Sequence, residues 1–390
     1  MDDFKLVLAK RFEEVFNSAP ENYFLSPGRL EIIGNHTDHN HGLALVASAS
    51  LYIKAAVKRR DDNIINLNSN GSEFYGIKVQ KKEPDANDDS TTYGLINGVV
   101  NGFLNHGYNV GGFDCFCLSD VPSGGGVSSS AAFELLICAI LNSLYNEGSL
   151  DKIELAKISQ YAERTYFNKP CGILDQIGAA FGGICYVDFN DPSNPIVKST
   201  SFPFKDVKIV LTNPGGSHAG LNSYYAAIPS DMYSVAKKMG KNVLREISFE
   251  EFNAYLEKHK DEFTPMEINR ATHYYTECFR VEDAYKSLIN EDLEGFLKNI
   301  RESGLSSSFV LQNTVVKGRY NHSPERALKT ARKAAPNSAH RVHGGGFMGT
   351  IISFVKNEEY DELVKQEVSN FGSKAIIDVS ISPFGATEIK

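Results

Sequence analysis

The chain has 390 residues, 42% of them hydrophobic and 23% charged, which is the composition of a globular protein large enough for two domains of ordinary size. A net charge of −8 without a dense Lys/Arg run argues against a nucleic-acid surface, while leaving room for local positive charge around an anionic ligand. No apolar run reaches the length of about 18 residues that a membrane span needs, so no membrane partner is expected. The six cysteines, at 115, 117, 138, 171, 185 and 278, make no C-x-x-C pair and no zinc-finger spacing. They read as the free thiols of a reduced intracellular protein. The first residues, MDDFKLVLAKRFEEVF, carry acids where a signal peptide carries bases, so the expected compartment is the cytoplasm.

Residues 2–18 predict an amphipathic helix. The stretch SAPENYFLSPGRLEIIGNHTDHNHG reads as a loop with a short strand, followed by a long β-like segment, Leu43 to Lys58. Short strands are expected around Ile64–Leu67 and Glu73–Val79, then an exposed polar loop, KKEPDANDDSTT, and a helix over Gly94–Leu104. Phe113–Leu118 has strand composition. It feeds VPSGGGVSSSAAFE (121–134) and an apolar run of helical length. Glycines let backbone N–H groups close on an anion, and a helix opening at the serines adds unpaired donors and a positive dipole end. Strand, glycine loop and serine-capped helix outline a phosphate cradle, although a glycine-rich turn before a Ser-capped helix is also ordinary chain architecture. It is not a P-loop, because no G-x-x-x-x-G-K-[ST] occurs.

Asp151–Asn168 predicts a further helix, and KPCGILDQIGAAFGGICYVDF a turn, a short helix and a strand. The turn-rich NDPSNP places a domain boundary near residue 200, dividing the chain into 1–200 and 201–390. Beyond it come a strand at Val207–Leu211, the loop NPGGSHAG and several helices. One of these opens with a capping box on Ser248 and Glu251, and another starts at Ser323 with Pro324 in its first turn. The glycines of GGGFMG run into a strand, TIISFV, where a dinucleotide fingerprint would need a helix. A polar helix near 357–370 and the strand AIIDVSI follow.

GRLEIIGNHTDHNHG (28–42), PSGGGVSSSAA (122–132) and HGGGFMG (343–349) resemble, in order, the three signature motifs of the GHMP kinases, the first specifically that of galactokinases. AERTYF (162–167) and CGILDQ (171–176) are similar to galactokinase segments as well. The resemblance implies a two-domain α+β fold, with a ribosomal-S5-like N-terminal domain, a ferredoxin-like C-terminal domain and the active site between them. It also implies an ATP- and Mg2+-dependent kinase that makes a sugar 1-phosphate, most simply from galactose. The implied partners are the sugar and ATP, with no nucleic acid, and a monomer or weak homo-oligomer is expected.

Carried over residue by residue, the resemblance makes Pro122, Ser123, Gly124, Gly125, Gly126, Val127, Ser128, Ser129 and Ser130 the ATP-binding loop. Ser130 and Glu163 would be the Mg2+ ligands, two being enough for an ion that keeps most of its waters. Asp175 would be the catalytic base and Arg29 the arginine that keeps it ionised. On the residues alone Asp175 is a helix N-terminal carboxylate, Arg29 a surface turn residue and Glu163 a solvated helix position. Asn35, His36, Asp38, Gly172 and Tyr225 would bind the sugar. Three His and one Asp in HTDHNH suggest a metal site, but their order differs from H-x-H-x-D-H and no H-E-x-x-H occurs, which disfavours a metallo-hydrolase.

Galactokinases usually read G-E-H-T-D-Y here, whereas this chain has Asn35 and His39 in place of the Glu and Tyr, and the family's glutamate contacts the sugar's 6-hydroxyl. An amide donates as well as accepts and carries no charge, which opens the alternative of a kinase for another monosaccharide. The Arg pair that follows the family tyrosine is replaced by AAIPSD after Tyr225. A catalytically silent sugar- and nucleotide-binding regulator is a further alternative. Such relatives lose part of the serine motif or a catalytic residue, and here SSSAA, Arg29 and Asp175 all remain.

Overall fold

The computed structural model describes residues 2–88, 90–122, 124–169, 171–217 and 220–390. Its helices and strands gather into two compact units. One comprises residues up to Leu30, Ala47–Gly183 and Ile381–Lys390; the other comprises Glu31–Val46 and Ile184–Ser380. The expected boundary near residue 200 compares with a crossing at residues 183–184, and each unit also takes in segments from the far side of that point.

The chain opens with α1 (Asp2–Phe16), β1 (Asn22–Ile33), β2 (Leu43–Arg59), β3 (Ile64–Ser69) and β4 (Ser72–Lys78). Then come α2 (Thr92–Asn105), β5 (Phe113–Ser119), α3 (Ser129–Asn146), α4 (Lys152–Thr165) and α5 (Leu174–Phe181). It continues through β6 (Ile184–Asp188), β7 (Ile196–Thr200), β8 (Val207–Thr212), α6 (Asn222–Lys238), α7 (Phe249–His259), α8 (Pro265–Ile289) and α9 (Leu293–Ser306). It closes with α10 (Pro324–Ala334), β9 (Ala339–Val342), β10 (Ile351–Lys356), α11 (Tyr360–Phe371), β11 (Ile376–Val379) and β12 (Thr387–Glu388).

In the first unit the sheet order is β12-β1-β2-β5-β3-β4. β2 and β5 pair antiparallel, with Ala56 opposite Phe116 and Val57 opposite Cys115. Side chains alternate across a strand, so Ala56 and Phe116 share one face, which Leu8 and Phe12 of α1 cover. Ala55, Val57, Cys115 and Cys117 are buried on the other. Both faces are covered, which explains the near-continuous apolar run of β5. Helices α2, α3, α4 and α5 pack on one another in the same unit. The expected short strand in the second segment is instead the 12 residues of β1, running straight through Pro27 and Gly28. Its ladder to β12 covers only Phe24 and Leu25. Farther on, the Arg29 N–H donates to Val127 O at 2.9 Å, so the proline interrupts no ladder there.

In the second unit, β8, β9, β10 and β11 form an antiparallel sheet in the order β11-β8-β10-β9. Val210, Ile351 and Val355 of this sheet pack with Ala327, Leu328 and Ala331 of α10 and Leu363 of α11. A separate core joins α6, α7 and α8 through Ile228, Met232, Phe252, Tyr274 and Tyr275. The capping box at Ser248 and Glu251 opens α7 as expected, and Ser323 caps α10 with Pro324 behind it. A second capping box, Thr264 with Glu267, starts the 25-residue α8.

Candidate active site

The loop between β5 and α3 takes its shape from glycine. Gly124 and Gly126 hold φ values of 72° and 77°, in the left-handed region that residues with a Cβ avoid. Ser128 also lies there, at 56°. No acidic side chain occupies the first turn of α3, so its positive end and unpaired N–H groups are left for an anion. Ser123, expected in this loop, lies outside the described residues. Buried Arg29, on β1, donates from Nη1 to Gly126 O at 3.0 Å, and from Nε and Nη2 to Asp175 Oδ1 at 2.8 and 2.5 Å. Asp175 sits in the first turn of α5. Burial alone would push its carboxyl up. The Arg29 guanidinium, the Lys169 ammonium and the Ser128 hydroxyl outweigh that and hold it below the usual carboxylate range. Gly172 stands three residues before Asp175, in the loop that leads into α5.

Ser130, in the first turn of α3, donates to Glu163 Oε1 at 2.7 Å. Glu163 is fully buried on α4. Lys169 Nζ reaches the same oxygen at 2.5 Å, and Gln176 Nε2 donates to Oε2 at 2.6 Å. A hydroxyl and a carboxylate held side by side are the hard oxygen donors that Mg2+ accepts, so the pair fits that ion. Among the described residues no group of three or more His, Cys, Asp and Glu side chains is placed to hold a metal. Glu134 lies one turn beyond Ser130, fully buried, and accepts from Ser159 Oγ at 2.5 Å. Burial, followed by the charge of Glu163, pushes its carboxyl well up. Sequence reading gave none of Lys169, Gln176 and Glu134 a role, although Gln176 closes CGILDQ and Glu134 closes VPSGGGVSSSAAFE.

It missed a pocket as well. Ser129, Ser130 and Phe133 of α3 line a cavity of about 530 Å3 together with Asn70, Leu95 and Phe167. Its walls come from five separate stretches of chain, so no short motif marks it.

In the other unit, α8 fixes the signature loop after β1. Glu277 Oε1 accepts from the N–H groups of Gly34 and Asn35 at 3.1 and 3.3 Å, His273 Nε2 meets Asn35 O at 3.0 Å, and Tyr274 donates to Asn40 O at 2.9 Å. Burial and the neighbouring His39 ring push His36 down to about 4, so its neutral imidazole donates from Nε2 to Gly345 O at 2.9 Å. Tyr225, with a phenol pushed up to about 12 by burial, donates to Gly346 O at 2.8 Å. A Cβ on Gly345 would stand 2.8 Å from the Tyr225 ring, so only glycine fits there. Asp38 is half-buried, 3.7 Å from His39 Nε2. Asn35 is buried, its amide tied to Glu31, Gly344 and Asn313. The HGGGFMG motif thus closes over His36, Asn35 and Tyr225 and runs into β10, a strand as expected.

Residues 94–183 match the GHMP kinases N terminal domain, and residues 10–59 the galactokinase galactose-binding signature. The chain is 31% identical to the galactokinase of Clostridium tetani over 379 residues, covering 95% of this chain and 92% of that one. It is 29% identical to the galactokinase of Fusobacterium nucleatum over 389 residues, covering 96% and 95%. Its fold superposes on a crystal structure of Lactococcus lactis galactokinase complexed with galactose with a TM-score of 0.83 at 26% identity, covering 98% of this chain and 99% of that one.

Proposed function

The chain belongs to the galactokinase family of GHMP kinases, and from that membership we propose that it transfers the γ-phosphoryl group of ATP to the anomeric hydroxyl of galactose. The observation that carries the chemistry is the Arg29–Asp175 pair set against the glycine loop. Ionised Asp175 accepts the anomeric proton as that oxygen bonds the γ-phosphorus, the bond to the β–γ bridging oxygen breaks, and ADP leaves. Arg29 keeps Asp175 charged and offsets negative charge developing on the attacking oxygen.

Pro122 to Ser130 would cradle the phosphates, and the pocket beside Phe133 would take the base. Ser130 and Glu163 would hold Mg2+, which when bound neutralises charge on the phosphate oxygens. His36, Asp38 and Tyr225 would bind the sugar, the Asp38 carboxylate accepting two of its hydroxyls, and Gly172 would bring bare backbone to it. The six cysteines are free thiols, four of them buried, as suits a reducing cytoplasm, and no described helix is long and apolar enough to cross a membrane. A monomer or weak homo-oligomer suffices for these roles.

The test is ATP consumption with Mg2+ over free monosaccharides: galactose, glucose, N-acetylgalactosamine, arabinose and galacturonic acid. Turnover is expected on galactose. Turnover on another sugar alone would replace the substrate, and silence on all of them would overturn the kinase reading.

A further inference from the structure

The place where this chain departs from the galactokinase signature is also where its hydrogen bonds are most fully specified. Asn35 Nδ2 gives one proton to Glu31 Oε1 at 3.0 Å and the other to Gly344 O at 2.8 Å. Its Oδ1 accepts from Asn313 Nδ2 at 2.7 Å, and the residue is 1% exposed. A carboxamide has two N–H donors, so Asn35 keeps none for a sugar. What it holds is a carboxylate, that of Glu31, two residues after Arg29 in the same strand.

Glu31 is held from a second side by Arg341, which is fully buried and donates from Nη2 to Glu31 Oε1 at 3.2 Å. Arg341 Nη1 also bonds the carbonyls of Glu31 and Ile32, both at 3.2 Å, so guanidinium and strand are locked together. Both side-chain donors to Glu31 end on Oε1. Among the described residues Oε2 receives none, and it retains its acceptor capacity. The negative charge that Asn35 lacks is therefore present one hydrogen bond away, neutralised and aimed by a buried arginine.

We infer that Glu31 is the specificity-determining residue for the sugar's 6-hydroxyl and that Asn35 is a positioning residue that holds the Glu31 carboxylate. The inference rests on the galactose reading above. Asn35 in place of glutamate is then a transfer of the charged acceptor to a neighbouring position, and Asn313 completes the clip by occupying Asn35 Oδ1.

The experiment compares kcat/KM for galactose and for 6-deoxygalactose, with ATP and Mg2+, in the wild type and in variants whose folding is checked by circular dichroism. Absence of wild-type turnover on galactose would overturn the functional reading itself, separately from this inference. With turnover established, the wild type should prefer galactose. Glu31→Gln, which keeps an acceptor for Asn35 but loses the charge, should reduce that preference by roughly 10- to 100-fold, the range of a charge-assisted bond. Asn35→Ala, which leaves Glu31 charged but no longer held by the amide, should lower kcat/KM for galactose more than for 6-deoxygalactose and so reduce the preference, by less than Glu31→Gln does. If Asn35→Ala does not fold, Asn313→Ala, which removes the bonds to Asn35 Oδ1 and Gly345 O, should reduce the preference in the same direction. If Glu31→Gln does not fold, Glu31→Asp, which withdraws the charge by one methylene, should lower the preference. A preference lost in the Asn35 variant and kept in the Glu31 variant would overturn the inference, as would a wild type indifferent to the 6-hydroxyl.

Discussion

A free aspartate titrates near about 3.9 and is a weak base, so Asp175 depends on alignment and on its neighbours for whatever catalysis it gives. Replacing it by Asn should lower kcat by about 100- to 10,000-fold, with ATP affinity by calorimetry unchanged. Near-normal turnover would remove it as the base. Two cations keep it ionised, and Lys169 is the one that can be removed without touching the glycine loop. A base must be ionised to act, so activity falls as pH drops through its pKa, and losing a cation raises that pKa. Lys169→Met should therefore move the acid limb of the kcat/KM profile toward neutral pH; a limb that stays or moves down contradicts this. Arg29 and Asp175 were legible in SPGRL and CGILDQ through the family resemblance. Lys169 was not, because its meeting with Glu163 depends on the turn after α4 bringing the chain back on itself. Nor was the occupied amide of Asn35, since Asn313 lies far along the chain.

Among the elements, those whose ends are set by local chemistry were the ones readable in advance. Ser248 accepts from the Glu251 N–H at 3.1 Å while Glu251 accepts from the Ser248 N–H at 2.8 Å, two bonds within four residues. Ser248→Ala should lower stability in urea denaturation by about 1 kcal/mol and leave the kinetics unchanged; an unaltered midpoint would show the cap to be idle. β1 was misread because proline and glycine normally mark a turn, and here the Val127 carbonyl, in a loop from elsewhere in the chain, accepts from the Arg29 N–H. α8 gave no clear periodic signal, because its inward positions include Glu267, Arg270, His273 and Glu277. Those polar residues are buried because they tie down other segments. Arg270 pairs with Asp231 at 2.6 Å, and Glu277 and His273 take the N–H and C=O of Asn35. An apolar pattern is blurred in a helix whose buried positions mix such hydrogen-bonding residues with Ala271, Tyr274, Tyr275 and Val281.

At the scale of the molecule, two buried acids oppose each other in the pH dependence of stability. Arg280, His273 and Arg341 overcome the burial of Glu277 and hold it at about 2. Its contribution is complete above its unfolded value of about 4.3 and is lost as pH falls toward about 2. Glu367, buried with Thr212 as its hydrogen-bond partner, is pushed up to about 7 by burial. It stays protonated in the fold while the unfolded chain ionises, so its contribution is lost as pH rises from about 4.3 through about 7. Glu367→Gln should remove that decline, and urea midpoints measured across the interval check it. A wild-type slope retained in the variant would exclude Glu367 as its source. The family resemblance reached this scale as well, since it implied a two-domain α+β fold. It did not give the path of the chain, which leaves the first unit after Leu30, returns at Ala47, leaves after Gly183 and returns at Ile381.

That path has a consequence for how the protein is made. β12 pairs with β1, Glu388 opposite Phe24, and the Glu388 carboxylate accepts from Asn22 at 2.8 Å and from Ser143 at 2.6 Å. The edge of the first unit's sheet is therefore built from residues that a ribosome delivers only after the whole of the second unit. Domains generally fold as they emerge, amino-terminal part first. Here that order fails, and a nascent chain must carry the β1 edge unpaired through the synthesis of more than three hundred further residues. During translation this is the strand on which a chaperone, or a second nascent copy, would find main-chain donors and acceptors still open.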